Sequence, residues 1–469
     1  MNQQIIRRSM FLFCVGLVLA GCSSVDPEKN ISQNTTENEE ILSESSRQPA
    51  PEGVVTPPQD VTDVSLEESE IIHTAEAKED PAEKQVIEKK APEKVLTQYT
   101  FIHSFSRAQV EAATDRFHLN YAHKPAQYAV KKYQVRFLTR HEGEEKIKGY
   151  ALAYIPTDAP QPIPLMVTAP GTTGIDDRCA PSKEDISVAN WGDYEGFNLS
   201  YAGQGYGVIM PDYSGFNDED GLHHYFIAHL EGKVILDSGR ALREIMQEEN
   251  ISFEPGFFLN GYSQGAHATL AAADMNGEYA PDILLRGIIG YGAAANVFDL
   301  LKNNAHLAPY FIYAYSDFYG RDRFDPEEIM ESEWVTTLEK DTTSKCVGEA
   351  GEYYGHKERP LYSQKFQEAL FGNNLQQKFP QVYKLMVLNN TGLRDFDVPV
   401  FLLQGETDTI TPLESQKIYA QELCRQGKRV TFHELPGIDH VYTRQSTHHE
   451  TLRWIEALRN DEDIPDYCS

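Results

Sequence analysis

Three features of the 469-residue chain predict an α/β fold, in which a largely parallel sheet is covered by helices and interrupted by an inserted helical cap. From about Gln98 onward, short apolar runs alternate with longer stretches of helical spacing, the pattern of β-α units. That rhythm stops over about 296–386, where the texture is helical and rich in aromatic residues, and it resumes near Val398. Gly261-Tyr262-Ser263-Gln264-Gly265 falls between an apolar run and an Ala-rich segment, where a strand would turn sharply into a helix.

Taken in order, residues 133–140 and 146–155 alternate like two antiparallel strands joined around 141–145. Residues 165–169 and 206–211 are continuous apolar runs of the buried, parallel kind. Over 230–248, Leu230, Val234, Leu236, Leu242 and Ile245 recur near helical spacing, and a strand is expected at 256–261. A helix at 266–275 and a strand at 285–291 follow. In the cap, Tyr310, Phe311, Tyr313, Tyr315, Phe318, Tyr319 and Phe324 read first as the core of a helical insertion and second as the wall of a pocket. After it come a strand at 398–404, a helix at 413–425, a strand at 430–435 and a terminal helix at 447–459.

The first 97 residues read differently. Arg7 and Arg8 precede an apolar stretch from Met10 to Ala20, which is too short for a membrane span of about 20 residues. It has the form of an export signal. Its end, Leu19-Ala20-Gly21-Cys22, resembles a bacterial lipobox, which implies a signal over 1–22, acylation of Cys22 and attachment by lipid chains. Ser23 and Ser24 then point to outer-membrane sorting, while an ordinary signal peptide with an incidental Cys is the alternative. Residues 23–97 are rich in Glu, Ser, Thr, Pro and Gln and read as an acidic, disordered tether. The folded domain is assigned to 98–469.

Asp and Glu total 71 against 42 Lys and Arg, a net charge of -29 that repels a phosphate backbone, so no nucleic-acid partner is expected. A monomer is expected. Of six cysteines, Cys14 and Cys22 fall in the signal, leaving Cys179, Cys346, Cys424 and Cys468 for an oxidising compartment. Three pairings are open. No C-x-x-C spacing supports a zinc site, so neither a metal nor another cofactor is expected.

A serine hydroxyl needs a base to take its proton, and that base needs a carboxylate to hold its tautomer. With Ser263 as nucleophile, Asp408 follows the strand 398–404 on a turn, and His440 follows the strand 430–435 on a loop. Both fall at the C-terminal ends of strands, where open α/β sheets bind ligands. Glu406 competes with Asp408, and Asp397 lies at the wrong edge. His267 reads as a packing residue on the helix after Ser263, and His448 and His449 as solvated or capping residues. For the oxyanion, the N–H groups of Thr172 and Gln264 are assigned as donors, with the Thr172 hydroxyl as a further aid.

These residues resemble the secretory, lipase A-like triacylglycerol lipases of the α/β-hydrolase superfamily. The likeness lies in the elbow, Pro170-Gly171-Thr172-Thr173-Gly174, Cys179-Ala180-Pro181-Ser182, Met210-Pro211-Asp212-Tyr213-Ser214-Gly215, and Val234-Ile235-Leu236-Asp237-Ser238-Gly239-Arg240-Ala241. It implies an α/β-hydrolase fold with a helical lid, an esterase or lipase acting on ester or lipid substrates, and a disulfide from the loop after the oxyanion motif to the lid. That pairs Cys179 with Cys346 and leaves Cys424 with Cys468. An acyltransferase or serine peptidase on the same fold and a non-catalytic surface-binding lipoprotein are the competing readings.

Overall fold

The computed structural model describes residues 93–469 apart from Glu144, Glu219, Asp220 and 356–359. The expected export signal, Cys22 and the tether up to residue 92 lie outside the described residues. In chain order the strands are β1 (Leu96–Phe105), β2 (Ala129–Arg140), β3 (Lys146–Thr157), β4 (Ile163–Ala169), β5 (Gly207–Pro211), β6 (Phe253–Tyr262), β7 (Leu285–Tyr291), β8 (Val400–Gly405) and β9 (Val430–Leu435). They form one sheet in the order β1-β2-β3-β5-β4-β6-β7-β8-β9. The first three strands and the junction with β5 are antiparallel, and the pairs from β5 to β9 are parallel.

The apolar runs of the parallel strands β4 to β8 are buried on both faces, the edge strand β9 only in part, and successive side chains serve different cores. Leu165, Val167, Phe257, Leu259, Ile288, Val400 and Leu402 belong to one core, with residues of α3 (Ala228–Glu248), α4 (Gln264–Tyr279) and α14 (Leu413–Arg425). Met166, Phe258, Ile289, Phe401 and Leu403 belong to the other, with α1 (Arg107–His118), α2 (Tyr194–Ala202) and α15 (His448–Arg459). This two-sided demand explains why these strands read as continuous apolar runs.

β1, α1 and α2 have no counterpart in the sequence reading. Only Leu96 of β1 is buried, because the strand lies at the sheet edge and carries no apolar alternation. Its start takes in Leu96 and Thr97, the last two residues of the segment read as tether. The Val95 and Leu96 side chains are buried, and their N–H groups donate to the Glu244 carboxylate at 2.9 and 3.0 Å.

Between β7 and β8 the described residues form α5 (Val297–Asn303), α6 (Ala308–Tyr319), α7 (Pro326–Ile329), α8 (Ser332–Val335), α9 (Leu338–Thr342), α10 (Val347–Tyr354), α11 (Gln364–Phe371), α12 (Leu375–Lys378) and α13 (Pro380–Leu388). They share a third core in which Tyr310, Phe311, Tyr315 and Phe324 are buried and Tyr313, Phe318 and Tyr319 pack at the margin. The aromatic series is therefore the core of the insertion. Among the described residues no helix is long and apolar enough to cross a membrane.

His448 is a correction: it begins α15 but is buried, not solvated. Its ring stacks on His118 at 4.6 Å, and its Nδ1 accepts the Lys124 N–H at 3.2 Å. Burial holds His118 down at about 4 and His448 well below the ordinary 6.5, and it holds His223, packed against Tyr213, down at about 3. The folded state thus keeps these rings neutral while the unfolded chain protonates them near 6.5. Their contribution to stability is complete above about pH 6.5 and is lost as pH falls toward 4. The urea midpoint is expected to fall over that window, and His118→Asn is expected to flatten the slope; an equal slope in that variant would refute the assignment.

Candidate active site

Ser263 joins β6 to α4 with φ 53° and ψ -113°, a strained conformation for a residue with a Cβ. Its flanking glycines permit the turn. A Cβ on Gly261 would lie 2.2 Å from the Gly265 carbonyl oxygen, and one on Gly265 would lie 2.0 Å from that of Ala169. The end of β7 grips the elbow: Ser263 N–H donates to Tyr291 O at 2.9 Å, and Ala294 N–H donates to Ser263 O at 3.3 Å. Ser263 thus stands at the positive end of a 16-residue helix, at the C-terminal edge of the parallel strands.

Asp408 and His440 leave the same edge from β8 and β9, and His440 Nδ1 donates to Asp408 Oδ2 at 2.8 Å. A carboxylate only accepts, so the ring proton sits on Nδ1 and the Nε2 lone pair is free to act as a base. Asp408 Oδ1 accepts the N–H groups of Ile410 and Thr411, both at 2.8 Å. Oδ2 also accepts from the Thr411 hydroxyl at 2.8 Å and from Gln404 Nε2 at 3.1 Å. Burial opposes ionisation, but the bonds from His440 and Thr411 outweigh it and leave Asp408 below its ordinary 3.8. Glu406 is exposed and accepts the Gly437 N–H at 2.7 Å, so it braces the loop before His440 without touching the ring.

The His440 ring lies 5.1 Å from that of Tyr262, the chain neighbour of Ser263. Among the described residues no hydrogen bond joins the Ser263 hydroxyl to His440. Gly292, at φ +51°, packs beneath the imidazole, where a Cβ would come within 2.7 Å of His440 Nδ1.

Thr172 follows β4, and among the described residues neither its N–H nor that of Gln264 donates to a backbone carbonyl. The Thr172 hydroxyl is engaged by Tyr225 Oη at 2.6 Å. Gly171 lets this loop close on Tyr262, whose ring atoms would be 2.7 Å from a Cβ there.

Arg444 has no sequence signature and escaped the reading. It is buried four residues after His440, with its guanidinium 4.1 Å above the Tyr262 ring and a bond to Gly192 O at 2.9 Å. It thereby ties the His440 loop to the residue that precedes Ser263. Among the described residues the only grouping with metal-ligand spacing is Glu111, Asp115 and His123, on and after α1; Asp115 is exposed and already bonded to His123 at 3.0 Å.

The family model for secretory lipases matches residues 199–465, more than half of the chain. The chain belongs to the secretory lipase family. It is 25% identical over 314 residues to a secreted triacylglycerol lipase of Malassezia furfur, covering 62% of this chain and 60% of the relative. It is 22% identical over 293 residues to a trichothecene C-3 esterase of Fusarium sporotrichioides, covering 60% of this chain and 62% of the relative. The chain thus spans about three fifths of the length of these curated relatives. The rice cell wall degrading esterase of Xanthomonas oryzae superposes with a TM-score of 0.62 at 17% identity, over 78% of this chain and 97% of that one. The fold is that of the α/β hydrolases.

In this chain Cys179 is bonded to Cys346, and Cys424 to Cys468. The first bond ties the segment after the Thr172 loop to the start of α10 in the cap. Next to it, Val347 N–H donates to Thr173 O at 2.8 Å. Because the bond closes a sequence separation of 167, its removal in Cys179→Ser/Cys346→Ser is expected to cost about 2–4 kcal/mol, read as a lowered urea midpoint. The second bond ties the C-terminus to α14.

Proposed function

We propose that this member of the secretory lipase family hydrolyses carboxylic esters through an acyl-enzyme on Ser263. Ser263 Oγ attacks the ester carbonyl as His440 Nε2 takes its proton, and Asp408 steadies the imidazolium. The N–H groups of Thr172 and Gln264 bind the oxyanion. Collapse of the tetrahedral species breaks the ester C–O bond, and His440 returns the proton to the departing alcohol. Water then attacks the acyl-enzyme by the same route and releases the acid and free Ser263. The scheme needs no metal or organic cofactor.

The observation that carries this reading is the 2.8 Å bond between His440 and Asp408 at the sheet edge that also bears the strained Ser263 turn. The names of the relatives, a triacylglycerol lipase and an esterase, support an ester as substrate. Initial rates on p-nitrophenyl esters from acetyl to palmitoyl, with Ser263→Ala alongside, test it. Activity that survives in the variant would overturn the assignment, and the optimum chain length separates esterase from lipase.

The secreted relatives also support export. We infer that Cys22 is acylated and anchors the chain to a bacterial outer membrane. Labelling of cells with a radioactive fatty acid is expected to mark the wild-type protein and not Cys22→Ser; equal labelling of both would refute the anchor.

A further inference from the structure

Gln264, whose N–H is assigned to the oxyanion, turns its side chain away from solvent. Its Nε2 donates to Glu231 Oε1 at 2.7 Å and to His223 Nε2 at 2.8 Å. Glu231 Oε1 also accepts the Phe226 N–H at 3.1 Å, and Oε2 meets His267 Nδ1 at 2.6 Å. The other ring nitrogen of His267 donates to Asn389 O at 2.7 Å. None of Gln264, Glu231, His223 and His267 is more than 1% exposed.

A carbonyl only accepts, so His267 Nε2 carries a proton, and a second proton lies between Nδ1 and the Glu231 carboxylate. The pair is therefore net neutral. A lone buried carboxylate is strongly disfavoured, and this one is matched in charge and bonded at both oxygens. The cluster joins α3, α4 and the exit of the cap. Asn389 extends it, since its Oδ1 accepts the first N–H of α3, that of Ala228, at 2.9 Å and its Nδ2 donates to Tyr319 Oη at 2.8 Å.

These contacts converge on the residue after the nucleophile. Gln264 opens α4, its N–H has no backbone acceptor among the described residues, and the peptide before it leaves the strained Ser263. Rotation of that peptide would swing the N–H away from the oxyanion. A side chain held at two points resists such rotation.

We propose that Glu231 is a positioning residue which, paired with His267, clamps the Gln264 amide and so aims the Gln264 N–H at the oxyanion. The proposal rests on the ester-hydrolase reading of the same site. The pair touches no reacting atom, and its effect passes entirely through Gln264.

The test uses the full chain and begins with a p-nitrophenyl phosphonate, which forms a covalent adduct on an activated serine. Failure of the wild type both to label at Ser263 and to hydrolyse esters would overturn the ester-hydrolase reading itself. With labelling established, Glu231→Gln and Gln264→Leu are compared at equal titrated active-site concentration on an ester and on its thionoester. The thionoester places sulfur where the oxyanion forms, and sulfur is a poor acceptor of N–H groups. In each variant kcat on the ester is expected to fall about tenfold or more while KM stays within twofold. The ratio of ester to thionoester rates is expected to fall with kcat. A merely structural role lowers the titrated fraction and leaves that ratio untouched, so an unchanged ratio would overturn the proposal. Gln264→Leu keeps the Glu231–His267 pair and decides the matter if Glu231→Gln does not fold.

Discussion

Alanine at Ser263 is expected to lower ester hydrolysis by roughly four orders of magnitude or more, because the oxyanion donors and substrate binding alone leave only a small residual rate. The fold is expected to tolerate the change. Ser263 already holds φ 53° with a Cβ, and alanine brings the same steric demand. The elbow is fastened by the backbone groups of Ser263 to Tyr291 and Ala294, which alanine retains. Melting temperature and secondary structure are therefore expected to match the wild type while activity disappears. A variant that lost both would point to a structural defect, and one that kept activity would remove Ser263 from the mechanism.

Asp408→Asn is expected to cost about 10⁴-fold in kcat with little effect on KM. The environment of Asp408 explains the size. Its Oδ1 accepts two backbone N–H groups, so asparagine keeps its oxygen there and turns its amide toward the positions occupied by Thr411 Oγ1 and His440 Nδ1. That amide is a donor and faces a second donor, so His440 must move or change tautomer. Either outcome takes the Nε2 lone pair from the serine. Glu406→Gln supplies the contrast: its carboxylate is exposed and braces Gly437, and the rate is expected to stay near wild type. Equal losses in both variants would refute Asp408 as the acid.

The parallel strands from β4 to β8 were legible because each carries a short apolar run buried on two faces. β1 was not, since an exposed edge strand with one buried residue leaves no periodicity to read. His448 was misplaced because its position at a helix start suggests solvent. The stack with His118 that buries it joins residues far apart in the chain. Arg444 and Glu231 escaped for the same reason, as neither an arginine above aromatic rings nor a buried glutamate has a local pattern.

From its sequence alone, this protein is determined to be an α/β chain with a helical insertion and a serine on a strand-to-helix turn, followed in order by an acid and a histidine after later strands. Those features are local: periodicity records which faces are buried, and glycines record where the backbone passes within van der Waals reach of itself. Only the tertiary structure set Asp408, and not Glu406, against the His440 ring, gave the Thr172 hydroxyl to Tyr225 and built the network behind Gln264. Each of these is a contact between residues distant in the chain, 32 apart for His440 and Asp408 and 122 for His267 and Asn389. A hydrogen bond depends on distances of a few tenths of an ångström, and these are set by the packing of whole elements, which no short window of sequence contains.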